Sequence, residues 1–555
     1  MGRLQFMDLI EDVQRLIIDH VTRPTDMKNL CLTCKQLHRL TVPQLYNEVT
    51  IDIGTANDTR LLDFLNPGNI GLPYVRKIDL YLAEVVDKCN QIQLANFTIR
   101  AILALLPENI LEKFSWHPWS QFSTDNLILL YKKQRRMKWM EAIACDRDAL
   151  PEIQTIPNIK NVFSQVKKLG LYPDSREVLN YCNYLVKNSP KVQKITLHSS
   201  FDDLLTDVSS RELNDSSTGP GLLTGTIFSH MLPFDKCTPI VLRNLTLQKI
   251  ALRYASNTYC KIIDFGHLKS LRIFGCPGAD ALFAELSKIT LMPEKLETLE
   301  FKHDDNTEND ALHALEGFLC LVSGIRVLTV DMCFVKSLPA VACITRHGRT
   351  LNQLNLHASL GGGEDEEHVY DYESFHSICK ACVRLEQLSI AFPQTNVLRN
   401  LSAEFLAFDS ALSHLSGLIT LNITTFPTIA TSLTRLPRTL YETLLAALAK
   451  LYLTPHGPHP LHFAPNPSVP APQTRLAVLA FGVSDKVYDR EDSKNQLIFI
   501  KGTTRDTLGR ERTAAVRCSW CQKKYVEPRS DILDFSLSRT TRMPVREDGG
   551  SVDSD

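Results

Sequence analysis

One recurring pattern limits what this chain can fold into more than any other feature: an apolar residue, two others, an apolar residue, one other, an apolar residue. Clear copies are Val166/Leu169/Leu171, Val192/Ile195/Leu197, Leu242/Leu245/Leu247, Leu268/Leu271/Ile273, Leu296/Leu299/Phe301, Ile325/Leu328/Val330, Leu351/Leu354/Leu356, Leu385/Leu388/Ile390 and Leu418/Leu421/Ile423. Weaker ones are Tyr46/Val49/Ile51, Val75/Ile78/Leu80, Leu111/Phe114/Trp116, Met140/Ile143/Cys145 and Leu476/Leu479/Phe481. Measured between middle residues, from Val49 to Leu479, eight of thirteen intervals run 26 to 29 residues. Alternate residues of a strand share one face, so the apolar positions of each copy point inward together. One unit of this length cannot bury its apolar edge alone, and the units must stack.

The residues between copies carry helical spacing. Leu282, Phe283, Leu286 and Ile289 share a face, as do Leu312, Leu315 and Leu319, and Phe375, Ile378, Cys379 and Cys382. Each unit therefore reads strand, turn, helix. Two long intervals have visible causes: residues 202–221 are rich in Ser, Asp, Gly and Thr and read as an insertion, and residues 454–472 read as a proline-rich linker. After Ser484 the pattern dissolves into an irregular tail, 485–555, with a possible strand at Leu497 to Ile500 and a polar, disordered end.

A chain of 555 residues exceeds one compact core, and 61 Lys+Arg against 62 Asp+Glu leave a net charge of -1. That balance argues against general binding to nucleic acid or an anionic membrane. The start places Asp8, Glu11 and Asp12 where a signal peptide would be apolar, so a soluble chain of the cytoplasm or nucleus is expected. The fifteen cysteines form no framework and are expected reduced. Cys31/Cys34 lies in a helical run and Cys518/Cys521 lacks a second pair, with His456, His459 and His462 remote in sequence, so no metal is expected. Lys132, Lys133, Arg135, Arg136 and Lys138 read as a solvated face, and Gly361 to Gly363 followed by Glu364 to Glu367 as a charged loop without a phosphate-binding pattern. No catalytic signature occurs, and neither enzyme nor cofactor is expected.

The first 48 residues are of another kind. Val13, Leu16, Ile17, His20 and Val21 follow helical spacing, Arg23-Pro24 interrupts, a second run carries Met27, Leu30, Leu32, Cys34, Leu37 and Leu40, and Pro43 is expected to end it. So small a unit needs a partner or the first repeat to pack upon.

On these residues the repeats, from Val49 to Ser484, resemble leucine-rich repeats of the ribonuclease-inhibitor-like kind; Cys276 and Cys333 close two copies as that family does. The start resembles a fungal F-box through Leu32-Thr33-Cys34-Lys35-Gln36-Leu37 and Pro43-Gln44-Leu45-Tyr46, with Ile10 where the family has Leu-Pro and Met27 where it has Leu. The resemblance implies an α/β solenoid over 49–484 preceded by a small all-α module, 1–48. It also implies a non-catalytic substrate receptor that reaches cullin and RING subunits of a ubiquitin ligase through a Skp-type adaptor. Val13, Leu16, Ile17, Leu30, Leu32 and Leu37 would form the adaptor contact. A leucine-rich-repeat scaffold or inhibitor would use the start only as a cap, whereas a repeat regulator of a GTPase would normally begin with a repeat cap and not with Leu30-x-Leu32-x-Cys34-x-x-Leu37.

Residues between and just after the apolar positions face the concave side, where a protein substrate would bind. Lys168, Lys194, Arg272, Phe274 and Lys302 offer cations and an aromatic suited to an acidic or phosphorylated segment. Asn355 and His357 continue the stripe as neutral donors and acceptors. Arg272 is the foremost candidate, with Phe274 expected to support its guanidinium.

Overall fold

The structure, a computed structural model, describes residues 6–535 apart from 22, 54–58, 82–87, 117–121, 144–146, 202–207, 289, 306–309, 362–366, 399–400, 429–436, 455–474, 485–494, 506, 520–525 and 527–528. It is mixed α/β and divides into two compact units, Met1–Asp264 and Phe265–Asp555, a different division from one at 48 and 484. The proline-rich linker and the polar end lie outside the described residues, as does the start of the 202–221 insertion. The rest of that insertion contains a short helix, Ser210–Leu213.

In the first unit, helices α1 (Glu11–Asp19), α2 (Pro24–Thr33) and α3 (Lys35–Leu45) precede the strands. The break after Arg23 is as expected, with Pro24 opening α2, where a missing N–H costs nothing. The second run is two helices, however. Cys34 takes an extended conformation between them, and Pro43 sits within the last turn of α3 without ending it. Ile18, Leu37 and Leu40 form the module's core, with Phe6 and Leu30 packed against it. Gln36 donates to Gln14, which donates to the Phe6 carbonyl, so the buried polar groups joining α1 to α3 are paired. Tyr46, at the end of α3, lies so close to Gly71 that a Cβ there would fall 2.1 Å from its ring, which seats the module on the first repeat. Leu37→Ala should cost about 2–5 kcal/mol of local stability, read as faster hydrogen exchange over residues 11–45 with protection at 168–171 unchanged.

Strands β1 (Glu48–Asp52), β2 (Lys77–Tyr81), β3 (Lys113–Trp116), β4 (Trp139–Ala142), β5 (Lys168–Leu171) and β6 (Lys194–His198) pair in parallel in sequence order. A short strand β7 (Ile240–Val241) stands apart, β8 (Asn244–Gln248) adds to β6, and β9 (Ile263–Asp264) pairs only β7. One row of middle residues, Ile78, Phe114, Met140, Leu169, Ile195 and Leu245, is buried throughout. Burying each such side chain contributes roughly 1.5–3 kcal/mol. The stacking is also written in the backbone: the carbonyl just before each strand accepts from two successive N–H groups of the next unit, as Lys138 does from Lys167 and Lys168 and Lys167 from Gln193 and Lys194.

The fourth copy differs from its expected register. Met137, Met140 and Ala142 fill its three apolar positions, with Ile143 also buried just past the end of the strand, and Met140 pairs with Leu169. The expected register, Met140/Ile143/Cys145, lies three residues too far along the chain. Both registers fit the period, since the flanking intervals become 26 and 29 instead of 29 and 26.

The second unit repeats the plan. Strands β10 (Ser270–Phe274), β11 (Thr298–Asp304), β12 (Val327–Cys333), β13 (Gln353–Ser359), β14 (Gln387–Ile390), β15 (Thr420–Ile423) and β16 (Val478–Gly482) are parallel neighbours. Leu271, Leu299, Leu328, Leu354, Leu388, Leu421 and Leu479 form its buried row. Helices Ala279–Leu286, Ala311–Leu321 and Tyr372–Ala381 bury the expected faces, except that Leu312 is half-buried and Ile289 is outside the described residues. The tail is more ordered than its composition indicates. β17 (Gln496–Arg505) pairs antiparallel with β16 and β18 (Glu511–Cys518) antiparallel with β17, their connection containing Gly509 at φ 74°. Leu497, Ile498 and Phe499 are buried, whereas the far end of the pair is polar and exposed, which covers an open sheet edge without inviting another chain. Among the described residues no helix is long and apolar enough to cross a membrane.

Candidate functional site

The first unit brings cations onto one aromatic ring. Register places Lys77, Lys113, Trp139, Lys168 and Lys194 in one row across β2 to β6. The ammonium of Lys113 lies 4.7 Å from the Trp139 ring centroid, and those of Lys168 and Lys194 each 5.4 Å. Cation–π attraction holds them there against mutual repulsion. Carboxylates engage part of the row, as Lys113 pairs with the buried Asp79 at 2.6 Å and Lys77 with Glu48 at 2.9 Å. Among the described residues Lys168 has no carboxylate partner, and it is exposed. Among the described residues the buried Trp139 indole N–H has no hydrogen-bond partner.

Next to this row, Ser115 donates to Glu141 at 3.2 Å. A Cβ on Gly170 would fall 2.8 Å from the Tyr172 ring and 3.0 Å from the Glu141 side chain, so the absence of a side chain lets both lie over β5. Tyr172 meets His198 edge to face at 6.3 Å. Burial, then the Glu141 charge, holds the Tyr172 phenol well above its usual pKa; burial, then Lys249, lowers His198 to about 4. Both rings are therefore neutral near pH 7, and the lysines dominate the charge of the face. The site can hold an anion.

The remaining stripe lies in the second unit, where it is engaged internally. Arg272 pairs with Glu300 at 2.9 Å, and Phe274 meets Phe535 edge to face at 5.7 Å instead of supporting Arg272. Lys302 lies 3.5 Å from Asp331. Asn355 and His357, expected on a solvent-facing stripe, are each 1% exposed, which corrects that expectation. His357 Nδ1 is 2.7 Å from Asp331 Oδ1 and its Nε2 3.7 Å from Glu367 Oε1, while Thr424 donates to the other Glu367 oxygen at 2.7 Å. Burial opposes charge on His357, but the Asp331 and Glu367 carboxylates outweigh it and raise its pKa to about 10. The physical reason for the burial is tertiary: residues 529–535 and Glu367 lie over this part of the face.

On the amino-terminal module, Leu16, Ile17 and Leu32 are 62%, 42% and 75% exposed, and Ile10 is 71% exposed. Val13 and Leu30 are half-buried. Leu37 belongs to the core between α1 and α3, so it supports the outer surface and does not form it. Of the basic run, Lys133 donates to the Leu103, Ala104 and Leu106 carbonyls at a helix end and Lys138 pairs with Glu112, both structural duties. Cys31, Cys34 and Cys518 are free thiols; Cys521, His456, His459 and His462 lie outside the described residues, as do Gly362 to Glu366.

Trp139, Lys77 and Lys113 are the site residues that sequence reasoning missed. Lys77 and Lys113 precede the middle residue of weaker copies, the position that Lys168 and Lys194 hold in clear ones. Trp139 was hidden by the late register of its copy. No family model matches this sequence, and no curated protein matches it.

Proposed function

We propose that the chain is a non-catalytic substrate receptor of a ubiquitin ligase, a leucine-rich-repeat array carrying an F-box-like adaptor-binding module. The observation that carries this reading is the outward placement of Ile10, Leu16, Ile17 and Leu32 on a module whose own core contains little more than Ile18, Leu37 and Leu40. Large apolar side chains turned outward from so small a unit favour a partner surface. A Skp-type adaptor is the partner the F-box resemblance names, with cullin and RING subunits beyond it. The lysines around Trp139 would hold an acidic or phosphorylated protein segment, and catalysis would come from raising the substrate's effective concentration near the transfer machinery. Such a receptor acts in the cytoplasm or nucleus.

The test is adaptor capture by the full chain. Leu16→Asp, Ile17→Asp and Leu32→Asp should each weaken it at least tenfold, with melting unchanged because these side chains are outside the core. Wild-type capture by all three variants, or no capture by the wild-type chain, leaves the repeat scaffold or inhibitor as the better reading.

A further inference from the structure

In the second unit a segment of the tail covers part of the sheet. Residues 529–535, which include a single 3-10 turn at Asp531–Asp534, lie against β13 and β14. The Gln387 carboxamide reads the main chain of this segment in both directions: its Nε2 donates to the Arg529 carbonyl at 3.1 Å and its Oε1 accepts from the Ile532 N–H at 2.9 Å. Ser530 Oγ meets Thr420 Oγ1 at 2.6 Å. Ile532 and Leu533 enter an apolar cluster with Val478, Ala480, Ile498 and Cys518, and Phe535 sets its ring on Phe274.

Each contact reads a separable property: main-chain direction, a small hydroxyl, an aliphatic pair, an aromatic ring. These are the elements by which a protein surface fixes a short peptide in one register. Arg529 pairs with Asp531 inside the segment. The bed is also unlike a permanent core. Asn355, Ser389 and Asn422 stand in register beside the row that carries Gln387 and Thr420, and among the described residues the buried side-chain oxygens of Asn355 and Asn422 have no hydrogen-bond partner. Unpaired acceptors penalise a closed core, whereas on a recognition face they are available to an incoming main chain.

We propose that this face is a peptide-docking site whose resident segment, 529–535, is displaced by a partner peptide of the same chemistry: a hydroxyl residue, an aliphatic pair two and three positions later, and an aromatic residue five positions later. The site belongs to the second unit, uses none of the lysine row, and stands whether or not the chain serves a ubiquitin ligase.

The full chain and a fluorescent peptide with the sequence of residues 529–535 test it. In the wild-type chain, hydrogen exchange at 530–535 should be at least tenfold faster than at 497–500. The double variant Ile532→Asp/Leu533→Asp should vacate the face and bind the peptide at least tenfold more tightly than wild type, a gain abolished by adding Gln387→Ala. Equal protection of 530–535 and 497–500 in wild type would make the segment plain core and overturn the proposal. So would absence of peptide binding by a double variant that keeps wild-type protection across β11 to β13. Should that variant not fold, the wild-type exchange comparison decides alone.

Discussion

Asp331→Ala should destabilise the second unit by about 3–5 kcal/mol, the cost of removing one partner from a buried charge cluster. Asp331 has no exposed side-chain surface, accepts from His357 at 2.7 Å and faces the Lys302 ammonium at 3.5 Å. Its loss leaves an imidazolium that is 1% exposed, with Glu367 at 3.7 Å from its Nε2. The cluster also sets a pH dependence. His357 has its pKa raised in the folded chain, to about 10, so the folded state binds the proton more tightly than the unfolded one. The stability this contributes is fully present below about 6.5, the ordinary histidine value, and is lost as pH rises through about 10. Denaturant midpoints for the exchange of β12 and β13 should therefore fall between pH 7 and 10 in wild type. In His357→Gln the fall should be markedly smaller, which separates this group from others that titrate there. Equal slopes in the two proteins, or a loss below about 1 kcal/mol for Asp331→Ala, would remove the cluster from the account of stability.

The strands were legible because their signal is local. Leu169 and Leu171, or Leu354 and Leu356, occupy one face of a single strand, and their neighbours 26 or more residues away repeat the demand. Where two registers satisfied the same period, as at Met140 and Ile143, nothing local chose between them. What chose was the pairing of Met140 with Leu169 and the burial of Met137. Pro43 misled for the opposite reason: its local preference is strong, yet packing of α3 on α1 and on the first repeat carries the helix past it. The state of Asn355 and His357 was beyond any local reading. Their strand is right and their side of it is right. What buries that part of the face arrives from residues 529–535, and Arg529 is separated from Gln387 by 142 positions. Alternation assigns a side chain to a face; whether the face meets water depends on the rest of the chain.

That distinction makes the lysine row the part of the stripe on which binding should depend. Lys168→Glu with Lys194→Glu should lower affinity for an acidic peptide bearing one phosphoserine by about 100-fold, because each reversal both removes a charge-assisted contact and adds a repulsion. Trp139→Ala should cost less, about tenfold, since it keeps the charges and removes only the ring that gathers them. Salt gives the second reading. Affinity of the wild-type chain should fall steeply between 50 and 200 mM salt, and the double reversal should flatten the curve, because screening acts on the charges that have been changed. Lys132→Glu with Arg136→Glu is the matched control. It makes the same change in net charge on the exposed run outside the row, in a segment whose structural contacts are made by Lys133 and Lys138. Loss of binding by the control equal to that of the row would reduce the effect to net charge. A loss confined to the row, deepening as salt is lowered and following the ring as well as the lysines, assigns the acidic segment to the face around Trp139.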